Sequence, residues 1–123
     1  MNKGNTKKGR LLISATLALM GLLAMPSMAS AAWFACQPDL VTESSNRISV
    51  HCTNSISLNG NTVTFVAISS TDTAKAARFL SVATSAFLSG KKLSVNIPSS
   101  SSTNVSGCAA SDCRTPTDFG LSN

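Results

Sequence analysis

Tyrosine is absent from the 123 residues, tryptophan and histidine occur once each, and acidic side chains number only five. Each shortage closes off a class of function. With His51 as the lone histidine and no Gly-x-Ser-x-Gly turn among the many serines, a Ser-His-acid hydrolase lacks its recognisable nucleophile elbow. A single strand histidine is ordinarily a surface or edge residue. The four cysteines include no Cys-x-x-Cys pair, so the usual zinc spacing is missing even with His51 counted as a fifth candidate ligand. The lack of tyrosine also removes a common sugar-stacking side chain. No enzymatic activity, cofactor or metal is expected.

No apolar run is long enough to hold the chain stably across a bilayer. The longest, Leu11 to Ala24, follows Lys3, Lys7, Lys8 and Arg10 and precedes the helix-breaking Pro26 and the small residues Ala29-Ser30-Ala31. Basic head, short apolar middle and small-residue end together read as an export signal over residues 1–31, cleaved after Ala31. A lipoprotein would need Cys36 at the new N-terminus behind small residues, whereas Trp33-Phe34-Ala35 is bulky. The expectation is a secreted or periplasmic protein with no membrane insertion. The signal takes with it four basic residues and all four methionines, so residues 32–123 carry six basic and five acidic groups, a net charge of +1. The +5 of the whole chain therefore does not argue for a nucleic-acid partner.

Residues 32–123 form one Ser/Thr-rich domain whose apolar core alone gives marginal stability, so disulfides matter. Four cysteines allow three pairings. The local one, Cys36–Cys52 and Cys108–Cys113, is favoured because short loops close easily. Loop-closure entropy assigns about 3 kcal/mol to the first bridge and somewhat less to the second.

Ile48, Val50 and Cys52 alternate with Ser49, His51 and Thr53, the period of a half-buried strand with His51 pointing away from Cys52. Asn59-Gly60 signals a hairpin, and its second arm, Val63 to Ile68, is apolar on both faces, as a central strand is. Ser70 to Thr73 supply helix N-cap residues. From Ala74 the period changes, with Ala76, Phe79, Leu80, Ala83, Ala86 and Phe87 on one helical face and Lys75, Arg78, Ser81, Ser85 and Ser89 largely on the other, until Gly90 stops the helix. Leu93, Val95 and Ile97 alternate as a strand ended by Pro98; Ser99 to Asn104 read as a flexible polar loop; Thr117, Phe119 and Leu121 suit a short last strand. The expected fold is mostly β with one helix, an OB-fold-like five-stranded barrel with the helix between strands three and four. Its first strand is the weakest element, since Leu40-Val41 are only two apolar residues. The alternative is an α+β sheet covered by one helix.

Isolated features carry competing readings. Asp39 and Glu43, four apart, would share a helical face and suit paired carboxylates, or stand as solvated charges. Lys75, Arg78 and Lys91-Lys92 make a small basic patch or a solvated helix face. Trp33 and Phe34 stack on a sugar or cover an open end of the barrel, burial being the expectation.

The stretch Ala76 to Leu80, then Ala86 to Ile97, followed by Ser106-Gly107-Cys108-Ala109-Ala110-Ser111-Asp112-Cys113, resembles the B subunits of subtilase cytotoxin and typhoid toxin, within the wider pertussis-like group of secreted bacterial proteins. The shared parts are an aromatic-bearing helix ending in a Ser-Gly turn, an alternating strand and a late Cys-x-x-x-x-Cys loop. The resemblance covers roughly the C-terminal half of residues 32–123. It implies an OB barrel, a pentameric ring and binding of cell-surface glycans, often sialylated, to deliver a toxic A subunit.

Those proteins place a second early cysteine after the hairpin, where this chain runs uninterrupted from Val63 to Ile68, leaving Cys36 as the partner of Cys52. Their glycan pocket relies on a serine in a Ser-Asp-Glu-Val-like segment; the nearest match here, Pro38-Asp39-Leu40-Val41, has proline in the serine position. The expectation is a non-enzymatic carbohydrate-binding protein resembling the receptor-binding B subunit of a toxin. Asp39, Ser44 and Ser45 are its candidate glycan contacts, and its partners are a cell-surface glycan, a toxin-like A subunit and further copies of itself in a homopentamer. The alternative is a stand-alone periplasmic or secreted domain with an interaction or structural role.

Overall fold

The computed structural model describes residues 31–123; the export signal expected over residues 1–31 lies, apart from Ala31, outside the described residues. Among the described residues the fold is mostly β with one helix: β1 (Ala31–Cys36), β2 (Pro38–Ser44), β3 (Arg47–Leu58), β4 (Asn61–Ser69), α1 (Thr73–Ser89), β5 (Lys92–Pro98), β6 (Cys113–Arg114) and β7 (Asp118–Ser122). The strands form two sheets, ordered β1-β5-β7 and β2-β3-β4-β6. The two sheets do not close into the five-stranded barrel expected: seven strand segments replace five, the helix follows the fourth of them, and the arrangement fits the α+β alternative better. Among the described residues no helix is long and apolar enough to cross a membrane.

The weak first strand of the sequence is two strands, because the chain changes sheets at Gln37. Before it, β1 pairs antiparallel with β5; after it, β2 pairs antiparallel with β3. The joint is held by side chains as well as backbone. Thr53 N donates to the Gln37 carbonyl at 2.9 Å, Gln37 N donates to Asn54 Oδ1 at 2.8 Å, and Asn54 Nδ2 donates to the Ala35 carbonyl. The Cys36–Cys52 disulfide ties β1 to β3 at the same place, and Cys108–Cys113 closes the late loop. Strand formation here owes little to hydrophobic alternation and much to backbone partners in two sheets.

Asn59 and Gly60 both have positive φ, 48° and 79°, the primed turn whose twist matches the hairpin β3–β4. The two apolar faces of β4 have separate coverings. Val63, Val66 and Ile68 enter the main core with Val50, Phe79 and Val95, while Ala67 is buried on the other side beneath Cys108 and Cys113. Asp72 caps α1 by accepting from Lys75 N at 3.0 Å, and Gly90 ends it in the left-handed conformation at φ 68°. Ala76, Phe79, Ala83 and Ala86 are buried as their spacing predicts, and Phe79 meets Phe119 edge-on with ring centroids 5.0 Å apart. Phe87 departs from that face: it is exposed, because the last turn of α1 overhangs β2 instead of packing under it.

The loop expected to be flexible is anchored at its far end. Asn104 Nδ2 donates to the carbonyls of Cys108 and Cys113, its Oδ1 accepts from Thr115 N, and Val105 N donates to Thr115 Oγ1. A second anchor is Arg114, which is fully buried and donates from Nη1 to the carbonyls of Ala110 and Cys113. One asparagine and one arginine thus do for residues 104–115 what a ladder does for a strand.

Candidate functional site

The face of β2, β3 and β4 turned away from the core carries a set of polar side chains with an aromatic among them. Ile48, Val50 and Cys52 point inward, so Arg47, Ser49 and His51 point out. Register adds their neighbours: Thr42 beside Ser49, Phe65 beside His51, and Ser44 beside Arg47.

Ser44 and Ser45, expected as glycan contacts, are the last residue of β2 and the first of the turn that leads to Arg47. Ser44 Oγ donates to the Arg47 carbonyl at 3.2 Å, and the Ser45 carbonyl accepts from Ser70 Oγ at 3.4 Å. Arg47 then extends across the sheet toward the 99–112 loop, where Nη1 donates to the Ser106 carbonyl at 3.4 Å. The loop is stitched to β4 from the other side: Thr64 N and Phe65 N both donate to the Asp112 carbonyl, at 2.9 and 3.0 Å. Between loop and sheet lies a hollow of about 260 Å³, walled by Thr42, Arg47, Ser49, Phe65 and Asp112.

Asp39 stands on the same face. The register slips at Asp39, which sends its carboxylate toward His51, with Oδ1 2.6 Å from Nδ1. The other side of the imidazole meets Phe65, ring centroids 4.7 Å apart. Neither Arg47 nor Asp112 has an oppositely charged partner among the described residues.

Other expected placements change. Asp39 and Glu43 lie on a strand and not on a helix, roughly 13 Å apart along it, and do not act as a carboxylate pair. Lys75 and Arg78 line a separate cleft of about 630 Å³ with Thr117, Asp118 and Phe119. Lys91-Lys92 lie about 24 Å away at the far end of α1, so the four cations do not form one patch. Trp33, expected to be buried, is 58% exposed, whereas its neighbour Phe34 packs against the core. Strand alternation is the cause: Phe34 and Cys36 take the inward positions of β1 and leave Trp33 outside.

Sequence reasoning missed Arg47, Phe65 and Asp112, which come from three separate elements. One signal was present, since Arg47 is the only Lys or Arg between Arg10 and Lys75. Chemically the hollow offers a guanidinium fork as donor, a carboxylate as acceptor, two hydroxyls that do either, and an aromatic wall. Smaller than the roughly 300–1,000 Å³ of drug-sized ligand sites, it has room for about one sugar ring. No protein-family model matches the chain, and no curated protein sequence matches it.

Proposed function

We propose that the protein is a secreted, non-enzymatic carbohydrate-binding domain built on an OB-like barrel, resembling the receptor-binding B subunit of a toxin. The barrel reading is supported by the order of pairings. Counting β1 with β2 across Gln37, and β6 with β7 across residues 115–117, the sequence β5, β1/β2, β3, β4, β6/β7 returns to β5, with the β4–β6 pair parallel and the other pairs antiparallel. In that count the helix follows the third strand, as in an OB fold.

One observation carries the function. OB folds bind saccharides and nucleic acids on the outer face of strands two and three, between the loop joining the first two strands and the loop joining the last two. The hollow lined by Arg47, Phe65 and Asp112 occupies that position, and its donors, acceptors and aromatic wall suit a sugar. Nucleic acid is the poorer ligand for a domain of net charge +1. A glycan array probed with multivalent protein tests the reading: binding to a defined glycan set, lost in Arg47→Ala and in Asp112→Ala, is the expected result. No ligand in multivalent form sinks it.

Assembly into a homopentamer, with a toxin-like A subunit as its cargo, extends the proposal. Its support is a groove of about 500 Å³ between β2 and α1, where Leu40, Phe87 and Leu88 are exposed and Leu88 is 76% accessible. Apolar exposure concentrated in one groove marks association surfaces.

A further inference from the structure

Trp33, Asn96 and Asp118 stand abreast across β1, β5 and β7: Trp33 is in register with Asn96, and Asn96 with Asp118. Leu93, Val95 and Ile97 of β5 are fully buried, so alternation turns Ser94 and Asn96 to the opposite face, and their in-register neighbours turn with them. The row beside Trp33 is Ala35, Ser94 and Gly120. These small side chains leave a recess along the edge of the indole, and a Cβ added at Gly120 would meet nothing within 4 Å.

None of the three long side chains has a task in the fold. Among the described residues Trp33 Nε1, the Asn96 carboxamide and the Asp118 carboxylate make no hydrogen bond or ion pair, and Asn96 Oδ1 is enclosed without a partner. An enclosed acceptor left unmet is destabilising, as is a water-exposed indole. A ligand that covers the ring accounts for the exposed indole, and the Asn96 amide nitrogen, which is not enclosed, is left free to donate to it.

We propose that this row is a platform for an uncharged pyranose. The sugar lays its apolar C–H face on Trp33, accepts a hydrogen bond from Asn96 Nδ2 and donates a hydroxyl proton to Asp118. Cross-strand spacing sets Asn96 about 5 Å and Asp118 about 10 Å from Trp33 at the Cβ atoms, the reach of one to two sugar rings. Asp118 is the one ionised group in the row itself and disfavours an acidic sugar; Lys75 and Arg78 face it across the cleft on the α1 side, and Lys92 is about 13 Å along β5 from Asn96. The ligand class rests on the carbohydrate reading above. The site does not, being on a different sheet from the Arg47 hollow.

Trp33 is the only tryptophan and tyrosine is absent, so the intrinsic fluorescence of the oxidised protein reports this row alone. Titration with galactose, glucose, mannose and free N-acetylneuraminic acid is the test. The expected result is a saturable blue shift with at least one neutral hexose, half-complete in the millimolar range, and none with N-acetylneuraminic acid. Asn96→Ala and Asp118→Ala each weaken it about tenfold, the worth of one hydrogen bond, and Arg47→Ala leaves it unchanged. Constant emission with every neutral hexose to about 100 mM overturns the proposal, as does a response in both variants equal to that of the wild type. Emission that follows protein concentration and not sugar gives the face to a second copy, and overturns it too. Array binding that depends on Arg47 while emission stays constant removes this site and leaves the carbohydrate reading standing.

Discussion

Gly107 lies directly beneath the guanidinium of Arg47, so close that a Cβ on Gly107 would overlap Nη1. The glycine also holds φ at +82°, a conformation that costs an L-residue about 1–2 kcal/mol. Two constraints therefore meet at one position, one on backbone strain and one on the side chain that walls the hollow.

Gly107→Ala is expected to lower stability by about 1–2 kcal/mol in chemical denaturation and to push Arg47 off the Ser106 carbonyl. Glycan binding at the hollow falls more than stability does, as it does in Arg47→Ala. Full binding with wild-type stability would show that Arg47 yields freely.

The two disulfides should separate in effect. Loop-closure entropy gives the Cys36–Cys52 bridge, with 16 residues of separation, about 3 kcal/mol, and Cys108–Cys113, with 5, about 2 kcal/mol. Cys36→Ser/Cys52→Ser is expected to unfold more readily because it also loosens the joint at Gln37. Cys108→Ser/Cys113→Ser keeps the fold and loses binding, since Asp112 is placed by that loop. Denaturation midpoints alongside binding check both; equal loss of stability in the pair would contradict the assignment.

Phe79 and Phe87 occupy the same predicted helical face and should respond oppositely to truncation. Phe79→Ala removes a fully buried ring and its contact with Phe119, a loss of about 3–5 kcal/mol. Phe87→Ala, at a position 45% exposed, changes stability by about 0.5 kcal/mol or less. Thermal denaturation of the two variants decides whether the last turn of α1 is part of the core.

That contrast also marks how far the sequence reaches. The hairpin at Asn59-Gly60, the core face from Ala76 to Ala86, the Gly90 stop and the alternation of β5 are legible because each is decided by residues within a turn or two of one another. β1 and β2 are not, because their sequence is ambivalent and backbone pairing with β5 and β3 decides them. The two residues of β6 exist only because the Cys108–Cys113 loop lies on β4, and the burial of Arg114 follows from the same packing. The hollow was illegible for a further reason: Arg47, Phe65 and Asp112 are 65 residues apart from first to last and meet only when that loop folds over the sheet.

Association through the β2–α1 groove predicts that Leu88→Asp leaves thermal stability within about 0.5 kcal/mol of wild type, since the side chain is 76% exposed. Sedimentation of the wild type is expected to give a closed oligomer, and of the variant a monomer. A wild type that sediments as a monomer at every concentration removes the ring from the proposal and favours a stand-alone domain.

The change of sheet at Gln37 imposes an order in time. β2 finds β3 within a few residues, but the residues of β1 meet theirs only when β5 exists, as Phe34 pairs with Val95 some 60 residues on. In an exported chain that emerges N-terminus first, β1 stays without a partner until the residues of β5 have followed it across the membrane. The earliest strand of the domain is therefore among the last to be satisfied, and throughout that wait the chain at its leading end is still thread rather than globule.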